Sequence, residues 1–463
     1  MIIADMAAAD TLDDLFPAPS APASRLSPRI FPGITHQATE TLRNILKDSY
    51  TKWHVFFLRD YRPHNHSVHC ALASWAMGAD EEIIKAAYAL DCKMQLPKLK
   101  SPEPITAANF DEHLGDDEYY SAYLDFFTEV VRSKGVAAAL EEYIFDAKAN
   151  FVAGRDADKQ PEMLNRSMDG IIHSLIHVGH GLEFGLPGLV AEGLAWTAVH
   201  FASSTTVIPP SLWETIGPAA AAESLASRFL GLGKQASKAP AQGNTHAFTV
   251  LARILKDSRF DDIPEAEHYA VVYSNVESKH GEAIAEHVRA WSFDHMSPGE
   301  VERKTEELVW ACVMIYAISG WSKTEPFNAD FFNVHLVTSS LFLSSIAAVL
   351  KPSSQELLLR SYFAVCLTWW IGRGRPELDI PAFFAETSAY PTPIHATPAP
   401  HKDALPSAES PKAAMPNPWF PLIEEALVIP DDHFPKTMRA LAHYGEIYGC
   451  RVPGQPDFAE RRY

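Results

Sequence analysis

The sequence predicts an all-α protein built as a single large bundle-like helical body, and three observations carry the prediction. From about Ile30 onward apolar residues recur at helical spacing, as Leu42, Ile45, Leu46 and Trp53 do within residues 38–57. No segment shows the strict apolar/polar alternation of a half-buried strand. Glycine and proline fall between the periodic stretches, at Gly78, Gly135, the Gly185/Pro187/Gly188 cluster and Pro352.

The elements follow in order. Residues 38–57 form the first helix; the second, 66–78, has Asn65 as its N-cap and stops at Gly78; the third, 80–94, begins at Asp80. Gly135 separates helices at 116–135 and 136–150, and the Gly185–Gly188 turn separates 161–185 from 188–203. The second half carries helices at 246–258, 264–291, 298–319, 328–350 and 353–373. Residues 1–29 are expected to be a flexible tail and 30–386 the all-helical catalytic domain. Residues 387–418, rich in proline, alanine and serine, form an exposed connection. Residues 419–463 are a C-terminal helical segment, with short helices at 419–429 and 433–449, that docks on the main domain.

Thirty-nine basic against 58 acidic residues give a formal charge of −19, and no basic run is present to track a phosphate backbone. Nucleic acid and anionic membrane are therefore excluded as partners. The longest apolar runs, such as 308–321, fall short of the roughly 18 to 20 residues needed to span a bilayer. The acidic N-terminus lacks the charge and apolar core of a signal peptide. Five scattered cysteines, an odd number with no C-x-x-C pair, argue for a reducing, cytoplasmic compartment. No G-x-G-x-x-G is present, GLGK at 231–234 lacks Walker spacing, and G-x-S-x-G is missing; these exclude a flavin or nicotinamide Rossmann domain and an α/β-hydrolase.

The chemistry concentrates in IIHSLIHVGHGLEFG, residues 171–185. At about 100° per residue, His173, His177 and His180 fan over roughly 60° of one helix face. A lone buried histidine is ordinarily satisfied by a carbonyl or carboxylate. Three side by side demand many partners, whereas one shared cation satisfies two at once, so the cluster points to a metal or catalytic centre. The glutamate that a zincin needs after its first histidine is replaced by Ser174. His66 and His69, spaced i and i+3 at a helix start, and His335, alone among large apolar residues, can complete a site; by itself each also reads as a core histidine. Glu183 and Glu192 stand in glycine-rich apolar surroundings, where either can orient a metal-bound imidazole, move a proton, or simply cap the turn. Trp369 and Trp370 with Arg373 and Arg375 would suit a flat aromatic substrate, with a tryptophan-anchored core as the alternative.

Taken together, NHSVHCALASWAMGAD, IIHSLIHVGHGLEFGLPGLVAEGLAWTAVH, HLVTSSLFL and RSYFAVCLTWWIGRGRP resemble the questin oxidase-like family of fungal secondary metabolism, over most of residues 31–385. The resemblance implies an all-helical oxidoreductase that opens the central ring of an anthraquinone by a formal Baeyer–Villiger oxygen insertion. It implies NADPH dependence, O2 as co-substrate, an aromatic polyketide as substrate, and non-haem iron, Fe(II), held by histidines. Carried over, it places metal ligands at His66, His69, His173, His177 and His335. Glu183 and His180 are the catalytic candidates, Glu183 as orienter or proton shuttle, and Trp370 and Arg373 the substrate contacts. A metal-dependent hydrolase, active without oxygen and favouring zinc, would use the same histidines; a non-catalytic scaffold would leave them unexplained.

Overall fold

The computed structural model describes residues 11–58, 62–216, 245–263, 268–294, 297–324, 327–387 and 399–452. Among the described residues there is no β-strand, only two isolated bridges, Trp53 to Pro97 and Phe56 to His64. The protein is all-α. No described helix is long and apolar enough to cross a membrane. The GLGK fragment, residues 388–398 of the proline-rich connection and the final eleven positions lie outside the described residues.

Twelve of the described helices position the interior and the cavity. They are α1 (His36–Lys52), α2 (Ser67–Ala76), α3 (Glu81–Asp91), α4 (Tyr120–Lys134), α5 (Met163–Phe184), α6 (Pro187–Val199), α7 (Tyr269–Ala290), α8 (Glu300–Ser319), α9 (Val334–Ser340), α10 (Pro352–Gly372), α11 (Trp419–Val428) and α12 (Phe434–Tyr448). Helices α5 and α6 form a tight hairpin, and both are buried on nearly all sides. A Cβ on Gly193 would stand 2.6 Å from Val178, so only glycine lets these two helices approach so closely. Helix α4 covers one side of the hairpin, α9 and α10 another, and α1, α2 and α3 pack as a separate trio.

Three local features differ from the pattern read in the sequence. The helix expected over 161–185 breaks at Asp169, and Gly170, Ile171 and Ile172 then take left-handed conformations at φ 56°, 55° and 65°. For β-branched residues this is a strained backbone, of order 1–3 kcal/mol each, and it sits where the histidine helix restarts. The segment 136–150 is short turns of differing pitch, and 328–350 contains two short helices separated at Leu341 and Phe342.

The described part of the expected N-terminal tail packs. Leu15 and Phe16 are fully buried against α1, α2 and the α5–α6 turn, because the helical turn at 11–15 presents both on its inner side. Phe16→Ala is expected to cost about 3 kcal/mol, read as a lower urea midpoint at unchanged m-value. An unchanged midpoint would mean that this segment does not pack in solution.

The C-terminal segment docks on the main body. Helix α12 lies against α2 and α9 and carries Lys436, Arg439 and His443 into the interior. The loop before it, Pro430 to His433, reaches the cavity described next.

Candidate metal centre and substrate cavity

One cavity of about 1240 Å³ opens between α2, α3, the α5 break, α7, α10 and the loop before α12. Six histidines line it: His64, His66, His173, His200, His335 and His433. Four of them form a closed ring, with centroid separations of 4.8 Å (His66–His173), 4.9 Å (His173–His335), 4.9 Å (His335–His433) and 4.7 Å (His433–His66). Each comes from a different element. His66 precedes α2, where Asn65 accepts from the Ser67 N–H at 3.0 Å and turns the chain inward. His173 follows the left-handed turn, His335 opens α9, and His433 precedes α12 with Asp431 capping that helix start.

The hydrogen bonds behind these rings fix their tautomers. His173 Nδ1 faces the Gly170 carbonyl and His335 Nδ1 faces the Phe332 carbonyl at 3.0 Å, so both nitrogens must carry protons, since a carbonyl only accepts. Asp432 faces Nδ1 of His66 and, at 2.7 Å, Nδ1 of His433. Burial by itself would raise the Asp432 carboxyl, but the hydrogen bonds from His433 and His66 outweigh it and hold the group far below the usual carboxylate range. An ionised carboxylate only accepts, so these two Nδ1 atoms are protonated as well. All four Nε2 atoms are then left with lone pairs, and they face each other: His66 Nε2 to His173 Nε2 at 2.7 Å, His335 Nε2 to His433 Nε2 at 3.1 Å.

Two lone pairs at that spacing repel unless a cation lies between them. Protonation is opposed. Burial, then the Lys436 ammonium, holds His66 down to about 3; burial first, then neighbouring imidazoles, holds His173 and His335 well below the ordinary value, and burial first lowers His433. Neutral imidazoles whose second nitrogen is anchored to a carbonyl or carboxylate are metal ligands in their binding state. Ligand atoms of His66, Asp432 and His433 also lie within 4.8 Å of one another.

Behind the ring, His177 and His180 find protein partners, whereas His69 Nδ1 is buried with none among the described residues. His177 Nε2 donates to Glu192 at 3.3 Å, which leaves its Nδ1 to accept from His69 Nε2–H at 2.9 Å. His180 donates from Nδ1 to the Ile176 carbonyl at 3.0 Å and stacks on His69. In a second relay, Asp169 accepts from His200 Nδ1–H at 2.9 Å, and His200 Nε2 accepts from His64 at 3.2 Å. His64 therefore presents an unprotonated Nδ1, which has no partner among the described residues, from a ring stacked 3.9 Å over His173. Gly170 is required here twice over: its φ is positive, and a Cβ would lie 2.4 Å from His64 Nε2.

The residues singled out in the sequence are distributed accordingly. His66, His173 and His335 meet in the ring, while His69, His177 and His180 lie behind it. Glu183 is locked to Arg439 in a buried ion pair with a second contact of 3.2 Å, away from the cavity. Trp370 is fully buried and outside the cavity lining, where Trp369 stands 4.7 Å from Tyr273. Arg373 points outward to Asp330 at 2.8 Å and lies over Phe332. His433, Asp432, His64, His200 and Asp169 were missed. The sequence signal for the first two was an Asp-Asp-His run just before a Pro-initiated helix; the last three had none beyond the residue types themselves.

A family model described as questin oxidase-like matches residues 63–441. The chain is 26% identical to the oxidoreductase AflY of Aspergillus parasiticus, over 90% of this chain and 76% of that one. It is 25% identical to a Baeyer–Villiger oxidase of Pestalotiopsis microspora (75% and 74% covered) and 24% identical to the questin oxidase of Aspergillus terreus (74% and 72%).

Proposed function

The chain belongs to the questin oxidase-like family and is an oxidoreductase, and on that premise we propose that it inserts oxygen into, and so opens, the ring of an anthraquinone-type polyketide of fungal secondary metabolism. In this reading a non-haem iron(II) is held by His66, His173, His335 and His433, with Asp432 orienting His66 and His433 from behind. The facing Nε2 lone pairs carry the reading, because neutral imidazoles at 2.7 and 3.1 Å are stable only around a shared cation. When bound, iron(II) supplies the activation of O2.

The chain's own residues do the rest. Tyr273 and Trp369 offer aromatic walls to a flat polycycle, and Phe331 stands edge-on to His335 and His433 at the mouth of the same cavity. His64 Nδ1 accepts a phenolic proton, and the Asp169–His200 pair holds it in the tautomer that can do so. Arg62 is committed to the carbonyls of Gly115 and Val199 and to Asp117, and thereby fixes the loop that carries His64. The described cavity does not fit NADPH: its four carboxylates would oppose the phosphates, and Arg62 is already engaged. No step is drawn from that cofactor.

Oxygen uptake on a hydroxylated anthraquinone such as questin, by anaerobically purified and iron-loaded protein supplied with a two-electron reductant in solution, tests the reading, since one oxygen atom enters the ring and the other must leave as water. Uptake matched to ring-opened product is expected. Turnover of substrate under nitrogen, with zinc as effective as iron, would make the site hydrolytic instead. Asp169→Asn is expected to lower kcat by about 10- to 100-fold, as losses of such supporting carboxylates do, with bound metal unchanged. Joint measurement of kcat, KM and metal content checks this, and an unchanged kcat would take His64 out of the reaction.

A further inference from the structure

The cavity is larger than a bare anthraquinone nucleus requires. Sites for small ligands occupy roughly 300–1,000 Å³, and a compact tricycle needs only the lower part of that range. This one holds about 1240 Å³. Its wall is also uneven. On one side the rings of Tyr273 and Trp369 stand 4.7 Å apart, and the Tyr273 hydroxyl is fixed by Ser204 at 2.6 Å, which makes a rigid aromatic surface. His64, His200 and Asp169 on the same wall serve the relay already described.

The mouth differs. Leu90 in the last turn of α3, Met94 four residues on, and Phe331 from the loop before α9 line the cavity with exposures of 41%, 62% and 55%. Phe201, also exposed on this wall, is covered on one face by the Arg62 guanidinium at 4.2 Å. A single exposed leucine or methionine is ordinary, but three large apolar side chains from two elements on one cavity wall mark a surface for an apolar ligand. Phe331 links that surface to the reaction centre, edge-on to His433 and His335 with ring centroids 5.0 and 6.0 Å away. A nucleus held beside the four facing imidazoles therefore has an apolar exit for a substituent past Phe331.

From the volume and this apolar mouth we infer that the substrate is a hydroxyanthraquinone with a flexible apolar side chain of several carbons, its nucleus against Tyr273 and Trp369 and its chain laid along Phe331, Leu90 and Met94. The chain takes water off these three side chains, and the unbranched, adaptable Met94 lets the surface follow its shape. Each methylene fully buried strengthens binding by about fourfold, and one lying in a half-open groove by about twofold. The inference rests on the reading of this cavity as the polycycle site.

The test is equilibrium binding, by quenching of tryptophan fluorescence, to iron-loaded full-length protein without oxygen. The two probes are trihydroxyanthraquinones that differ only in carrying a methyl or a hexyl group on the ring. Five added methylenes at about twofold each predict that wild-type protein binds the hexyl probe about 30-fold tighter. In Leu90→Asn/Met94→Asn the preference should fall below about fivefold while the methyl probe binds as before, which also reports that the variant is folded. The single variant Met94→Asn, at the most exposed of the three positions, should lower the preference at least about threefold. A wild-type preference below about threefold overturns the inference, as does an undiminished preference in Met94→Asn, and neither result touches the oxygen chemistry. If neither probe binds wild-type protein, the proposed substrate class falls as well.

Discussion

His173→Ala is expected to strip the metal from the protein and to cut turnover by more than about 100-fold, a larger loss than removal of a residue that only supports a ligand. His177→Gln, one helical turn further along α5, is expected to retain the metal. The two imidazoles share one helix face but not one role. His173 Nε2 faces the His66 lone pair and is left without a proton to offer, whereas His177 passes a continuous donor-to-acceptor chain from His69 to Glu192. Removing His173 takes away one of the four facing imidazoles; removing His177 interrupts the hydrogen-bond chain from His69 to Glu192. Metal analysis of both variants after anaerobic purification decides the matter. Full metal content in His173→Ala, or equal loss in both, would sink the assignment. Ala substitutions at His66, His335 and His433 should follow His173.

Arg439→Ala is expected to destabilise the fold by about 3–5 kcal/mol while leaving metal binding and kcat per folded molecule nearly unchanged. The Glu183–Arg439 pair is sealed, with side-chain exposures of 0% and 2%. Burial pushes the Glu183 carboxyl up, and the Arg439 charge and hydrogen bonds pull it back only in part. Truncating the arginine abandons a carboxylate in a dry interior and removes a cation packed 5.1 Å over the Phe184 ring. The double variant Glu183→Leu/Arg439→Met should regain most of the loss, since an apolar pair of similar volume avoids the desolvation of both charges. Urea unfolding with matched m-values measures all three proteins. A stable Arg439→Ala variant with collapsed kcat would return Glu183 to the chemistry, the role its sequence setting suggests.

The site was legible in the sequence to the extent that it depends on local spacing. His66 and His173 stand in segments whose helical period places them on buried faces, and His335 is conspicuous among phenylalanines. The sequence read the stretch 161–185 as one helix, because nothing in its composition announces that Ile171 and Ile172 adopt left-handed angles. That turn is imposed by its surroundings: Asp169 is tied to His200, and Gly170 lies against His64 and offers its carbonyl to His173. Trp370 and Trp369 are equivalent by composition, and only the rotation of α10 in its packing turns Trp369 toward Tyr273 and buries Trp370.

What the chain determines by itself is its helices, its apolar interior and the presence of imidazoles within it, because these follow from period and residue type over a few turns. Which imidazoles face one another is decided only in three dimensions. The choice depends on what stands behind each ring, and those partners are backbone carbonyls and one carboxylate, Asp432, that meets His66 across 366 residues of sequence. A carbonyl's direction and a loop's final position are set by packing of the whole bundle, so one histidine comes to face another's lone pair while its neighbour one turn away becomes a link in a hydrogen-bond chain.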